Sequence, residues 1–279
     1  MPSALPRRQF MKSAALGAAA AATAGVHLAS AAETAAPPLR IGSPSDGVLK
    51  PTFEAPSVVR PLLVADLNDL EAEARKVMDP GAFAFISSGS DSQWTLRENR
   101  KAFERLVVKP QYLVGKPQPD LRIELLGQKL ALPIITTPMG AHGLAHQSAE
   151  LGTARGTAEA GTLMTVSTTA NYTIEEIAAA SKGPKWFQLY LLEDEAKSRE
   201  LLRRAEAAGY HGIVLSIDAF APGASDSTLR MGFGFPPTLP LVNVGHNAMK
   251  KSLSWEDVKF VMKNTRLPLV LKGVLTPEM

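Results

Sequence analysis

The feature that most constrains this chain is an alternation of short apolar runs with helical patterns across its second half. Five runs, at residues 133–138, 162–167, 185–191, 212–218 and 267–272, are predominantly apolar over strand length, as strands buried on both faces are. Helical patterns lie between them at 143–160, 173–180, 193–208 and 255–263, the third with dense charge pairing at i,i+4. Upstream, 67–77 and 94–103 also carry helical apolar spacing. The alternation predicts a parallel α/β sheet.

Two architectures satisfy that pattern. An open doubly wound sheet gathers its site at one switch point behind a glycine-rich turn. The first candidate turn here, Pro138-Met139-Gly140-Ala141-His142-Gly143, is not G-x-G-x-x-G. A barrel spreads its site over the carboxyl ends of all its strands. The five runs end in Gly140, Ser167, Gln188 with Tyr190, Ser216 with Asp218, and Lys272. The prediction is therefore a (β/α)8 TIM barrel with its C-terminal three βα units missing. Such a barrel would open two edges and much of its interior, so either another chain completes it or the sequence is a fragment.

Charge separates the amino terminus from the rest. Arg7, Arg8 and Lys12 are the only charged residues before Glu33; without them, 27 basic residues balance 27 acidic ones. The net charge of +3 therefore belongs to the leader and does not call for a nucleic-acid partner. Residues 1–31 read as an export signal: paired arginines before Phe10, an alanine-rich apolar run, then Ala29-Ser30-Ala31 for a peptidase. The pair resembles a twin-arginine signal, which predicts an exported, periplasmic or extracellular protein. Residues 32–61, rich in Pro, Ala, Gly and Ser, read as a flexible linker, and 62–279 as the functional domain. The absence of cysteine excludes thiol nucleophiles, thiolate metal sites and disulfides. His142 and His146 are four apart, but Gly143 interrupts them and no third ligand is evident, so no metal is expected.

Six segments in order resemble the FMN-dependent (S)-2-hydroxy-acid oxidases and dehydrogenases, most nearly the lactate oxidase branch. They are SGSDSQWTLRENRKAF from Ser88, TPMGAHGLAH from Thr137, GTLMTVSTTANYTIEEIA from Gly161, KWFQLYL from Lys185, IVLSIDA from Ile213 and LPLVLKGVLTPE from Leu267. The resemblance implies FMN as cofactor, a small 2-hydroxy acid as substrate, oxygen or another acceptor for the electrons, and a homo-oligomer for a full-length protein.

It also implies roles. Lys272, costly to bury in an apolar strand without an anion, is similar to the lysine that faces the flavin N1 edge and stabilises charge on reduction. Gln188 can both donate to and accept from the flavin pyrimidine ring. Ser167 and Ser216 match positions that contact the ring, and Met139 with Gly140 would bring backbone against its face, since glycine allows close approach. Tyr190 resembles the tyrosine that binds the substrate carboxylate. Asp218 resembles the aspartate that orients the catalytic histidine.

Three departures accompany the match. The family's catalytic histidine and a substrate-binding arginine lie in an SNHG(G/A)RQ segment, and none of the five histidines here has that context. A substrate-contacting tyrosine before the Ser88-Gly89 motif is replaced by Phe85. An arginine in the loop after Asp218 falls at Ser225. The expectation is oxidation of a lactate-like L-2-hydroxy acid to the 2-oxo acid, with a bulkier or less charged acid favoured by these losses. The alternatives are an inactive remnant of such an enzyme, one piece of a divided flavoprotein, or an unrelated barrel in which Lys272 forms a Schiff base.

Overall fold

A computed structural model describes residues 53–59, 62–115, 118–219 and 225–278. The expected leader, and the linker apart from 53–59, lie outside the described residues. Those residues belong to one compact unit, Ile41–Met279.

Three helices come first: α1 (Leu67–Val77), α2 (Pro80–Ser87) and α3 (Trp94–Glu104). α1 begins in a reciprocal cap between Asp66 and Asp69 and ends in Arg75 and Lys76, each charge opposing the helix dipole. α2 escaped the periodicity reading because its eight residues, PGAFAFIS, are apolar without a stripe. Its start was legible all the same: Pro80 sits in the first turn, and Asp79 Oδ1 accepts from the amides of Gly81 at 2.8 Å and Ala82 at 3.2 Å.

A short antiparallel hairpin follows, β1 (Ile123–Leu125) and β2 (Gln128–Leu130). Leu126 and Gly127, both at positive φ, form its two-residue turn. Then come β3 (Thr136–Met139), α4 (Ala149–Glu159), β4 (Met164–Ser167), α5 (Ile174–Ala179), β5 (Lys185–Leu189), α6 (Glu195–Ala207), β6 (Ile213–Ser216), α7 (Asp226–Met231), α8 (Trp255–Lys263) and β7 (Leu269–Lys272). All five predicted strands form, four of them trimmed at one or both ends and β3 shifted to begin at Thr136 and end at Met139. The helix expected over 143–160 divides into a 3-10 turn, His142–Leu144, and α4. The division has a local cause: the Gly143 amide donates to Asn171 Oδ1, and the Ser148 amide to His146 Nδ1. Neither is free for a helical carbonyl.

β3 to β7 make one parallel sheet whose spatial order equals their chain order. Each strand lies beside the previous one with a crossover between, so the chain winds one way with no switch point. That is barrel winding. Alternate side chains then serve two cores. On the outer face Met164, Val166, Phe187, Leu189, Ile213 and Leu215 pack with helical residues such as Ile177, Leu202 and Val261. On the inner face Leu163, Trp186 and Val214 pack with Leu130 of the hairpin, beside Ile123, Leu125 and Val270. The hairpin therefore plugs the amino end of the inner face. β4, β5 and β6 are buried throughout, whereas β3 and β7, at the sheet edges, are not.

Candidate active site

At the carboxyl ends the inner face changes from apolar to polar. Ser167, Gln188 and Ser216 lie there at 2%, 1% and 1% exposure. They share inner-face parity with Leu163, Trp186 and Val214. Ser167 pairs with Gln188 in the β4–β5 register, which brings their side chains together. The Ser167 hydroxyl donates to Gln188 Oε1 at 3.0 Å, and Gln188 Nε2 donates to Ser216 Oγ at 3.0 Å. One amide thus bridges three strands, and three buried polar side chains satisfy each other. The row continues on the β3 side through a 3.0 Å contact between the hydroxyls of Ser167 and Thr169.

Lys272 ends β7 opposite Ser216 in the register. Its Nζ lies 3.3 Å from Asp218 Oδ1, and the two side chains are 41% and 49% exposed. The apolar run predicts a buried lysine; the ammonium is instead partly exposed and meets an aspartate. Gly273 makes this contact possible. It has φ +116°, and a Cβ there would fall 2.7 Å from Asp218 Cγ.

The β3 end is held against β4. The Ala141 amide donates to the Thr169 carbonyl at 3.0 Å, and a Cβ on Gly140 would lie 2.0 Å from Thr169 Oγ1. Only glycine fits. Met139, beside it, is exposed. Tyr190, just past β5, is half-buried, and its amide donates to Thr168 Oγ1 at 3.0 Å. The Thr168 hydroxyl in turn donates to the Gln188 carbonyl at 2.5 Å. Thr168 and Thr169 therefore brace four of the predicted positions, Gly140, Ser167, Gln188 and Tyr190. Sequence reasoning passed over them, although two threonines directly after a strand-end serine are apt for side-chain-to-backbone bonding.

Phe85 lies in α2, outside the polar row. It stacks on Phe233 at 5.4 Å between centroids and meets Phe235 edge-on at 5.0 Å. Phe233 and Phe235 pack in turn with Ala82, Ala141 and Leu144, so the aromatic group borders the segment that follows Gly140. Ser225 is committed to structure: it caps α7, accepts from the Thr228 amide at 3.0 Å and contacts Ser88 Oγ at 2.8 Å.

The two histidines after β3 bond separately, His142 Nδ1 to Thr153 Oγ1 and His146 Nδ1 to Ser148 Oγ, both at 2.9 Å. Burial pushes the His142 imidazole below its ordinary value of 6.5, against the opposing pull of the Glu150 carboxylate and the Met139 carbonyl. Among the described residues no group of three or more ligand-type side chains is placed to hold a metal.

Comparison with known proteins identifies relatives of the fold and sequence. Residues 74–279 match the FMN-dependent dehydrogenase family. Glycolate oxidase 1 of Zea mays is 34% identical over 234 residues, 77% of this chain and 63% of the relative. Glycolate oxidase of Spinacia oleracea matches at the same identity and coverage. Among solved structures, a protein described as a lactate oxidase from Pediococcus acidilactici superposes with a TM-score of 0.78 at 34% identity, covering 82% of this chain and 66% of that one. A mandelate oxidase gives 0.73 at 37% identity, covering 77% and 63%, and another mandelate oxidase structure holds an FMN adduct. The chain thus spans a little under two thirds of each of these relatives. A one-way parallel sheet, a polar rim on its inner face and the match over 74–279 together make this chain a member of the FMN-dependent dehydrogenase family.

Proposed function

We propose that this chain carries the ring-binding part of an FMN-dependent 2-hydroxy-acid oxidoreductase, whose product is the 2-oxo acid. The observation that carries the reading is the Ser167–Gln188–Ser216 row. Three mutually bonded, buried polar side chains add little net stability, because their bonds replace bonds to water, so their place at the rim where barrel sites form points to binding. The residues also fit the cofactor. The row offers donors and acceptors to the polar edge of a flavin ring, and the absent Cβ at Gly140 lets Thr169 pack directly behind the end of β3. When bound, FMN supplies the two-electron acceptor.

The chain's own groups then bind, orient and hold charge. Ser167, Gln188 and Ser216 fix the ring edge. Lys272 sets a positive charge beside it, and Asp218 aims the ammonium. Tyr190 offers its phenol to the substrate carboxylate. Since none of the five histidines has the SNHG(G/A)RQ context, a second reading is favoured for this chain by itself: it binds the ring but needs further residues to remove the hydroxyl proton.

The test is Lys272→Met, with FMN binding followed by flavin fluorescence and sulfite affinity by absorbance. Loss of the cation should weaken sulfite binding at least tenfold, because the sulfite adduct places negative charge on the flavin. Unchanged sulfite affinity, or no FMN binding by the parent chain, would overturn the reading. Residues 1–31 lie outside the described residues, and we propose that they direct twin-arginine export. Changing Arg7 and Arg8 to lysine should then hold the protein in the cytoplasm, whereas unchanged export would exclude that route.

A further inference from the structure

We infer that Glu150 is a positioning residue for the rim: its buried carboxylate fixes the turn after β3 and, through that turn, the β3 side of the polar row that receives FMN. The inference rests on the proposed flavin site. Glu150 stands in the first turn of α4 and is fully buried. Its Oε1 accepts the His142 amide at 3.1 Å, and its Oε2 is buried with no partner among the described residues. Burying a carboxylate costs far more than burying a carbonyl or an amide, and the amides on either side manage without one. The Ala141 amide donates to the Thr169 carbonyl at 3.0 Å, and the Gly143 amide to Asn171 Oδ1 at 2.9 Å. A carboxylate at the middle position therefore calls for a cause beyond satisfying one amide.

That cause lies in the backbone. Ala141 has φ +54° and ψ +46°, the left-handed region that an alanine avoids. Ala149, which opens α4 beside Glu150, has φ +40°. Such conformations persist where the surroundings over-determine them. Here three consecutive amides are held by three different residues, and the carboxylate is the strongest acceptor of the three. Its place in the first turn of α4 suits it, because the helix dipole favours negative charge there. His142 Nδ1 bonds Thr153 Oγ1, which ties the same turn to α4 a second time.

The turn reaches the polar row by direct contact. A Cβ on Gly140 would lie 2.0 Å from Thr169 Oγ1, so the Gly140 backbone rests on that hydroxyl. Thr169 Oγ1 is 3.0 Å from Ser167 Oγ, and Ser167 donates to Gln188. A shift of the Ala141–His142 peptide would therefore move both the Gly140 backbone and the hydroxyl that steadies Ser167.

Two variants test this. Glu150→Leu keeps approximate volume and removes the acceptor; Glu150→Gln keeps a side-chain carbonyl for the His142 amide. FMN is titrated into the 279-residue chain and each variant, followed by flavin fluorescence, at a temperature where circular dichroism shows the protein folded. Glu150→Leu should bind FMN at least tenfold more weakly than the parent, and Glu150→Gln should recover the affinity to within threefold. A merely structural carboxylate would lower the thermal midpoint and leave the FMN affinity of the folded protein unchanged. Hydrogen exchange by mass spectrometry gives a reading on the parent by itself, whether or not Glu150→Leu folds: FMN should slow exchange over residues 139–144 at least threefold. Equal FMN affinity in the parent and Glu150→Leu, a loss in Glu150→Gln as large as in Glu150→Leu, or unchanged exchange over 139–144 overturns the inference. No FMN binding by the parent removes the flavin reading and this inference with it, whereas normal parent binding with any of those three results sinks the inference alone.

Discussion

Two ends of the inner face share strands, parity and burial, yet they are built from opposite materials. At the amino end Leu163, Trp186 and Val214 close on the β1–β2 hairpin. At the carboxyl end of the same strands Ser167, Gln188 and Ser216 hold one another by hydrogen bonds. The first arrangement gains free energy in proportion to the apolar area removed from water. The second gains little, because its bonds replace bonds to water. The contrast teaches a division of labour within a single strand. Two residues of translation along β5, from Trp186 to Gln188, pass from a side chain that holds the sheet together to one that gives it something to bind.

Trp186 is the sharper place to break this contrast. Trp186→Ala would open a cavity between sheet and hairpin, and a buried Trp→Ala change typically costs about 3–5 kcal/mol. The buried Trp186 Nε1 has no partner among the described residues, so the loss should fall toward the lower part of that range. Urea unfolding followed by circular dichroism measures it. A loss below about 1 kcal/mol would mean that the hairpin does not seal the amino end.

Gln188→Leu tests the other end. It preserves approximate volume but strips Ser167 and Ser216 of their shared amide, and a buried group left unsatisfied costs about 1–3 kcal/mol. Ser167 keeps its contact to Thr169, so the penalty should fall mainly on Ser216. The expected result is a moderate stability loss together with at least tenfold weaker FMN binding. If the stability loss appears with FMN binding intact, the row is structural only, and the contrast between the two ends collapses.

Much of this contrast was legible in the residues. Apolar runs mark five strands, and a glycine closing the first and polar residues closing the other four mark the rim. Parity placed Gln188 with Tyr190, and the family resemblance attached FMN to the first and the substrate carboxylate to the second. What was not legible depends on contacts distant in sequence. No local pattern joins Ser167 to Ser216 through Gln188, because strand register decides which side chains meet. Phe233 and Phe235 gained meaning only when α2 brought Phe85 against them. The pairing of a partly exposed Lys272 with Asp218, on the neighbouring strand's end, is likewise something an apolar run by itself does not reveal.

The smallest expected effect concerns the β3 corner of the rim and is a matter of pH. Burial holds the His142 imidazole below its ordinary 6.5, with Glu150 and the Met139 carbonyl partly opposing. An unfolded chain therefore takes up that proton at a higher pH than the native one does. Stability rises with pH wherever the unfolded state binds more protons. In the window between the lowered native value and 6.5, acidification should therefore destabilise the protein; below that window the His142 contribution becomes flat. His142→Gln removes the titration while keeping a group able to bond the Thr153 hydroxyl. The thermal midpoint of the parent chain should consequently fall further than that of the variant as pH drops through this window. The difference should stay within about 4 °C, the shift that ~1 kcal/mol gives in a domain of this size. Carboxylates elsewhere act on both proteins alike, so the difference between the two curves isolates the imidazole. Parallel curves, or a parent that gains stability on acidification, would show that this corner is open to water and that the rim is less closed at β3 than at β5.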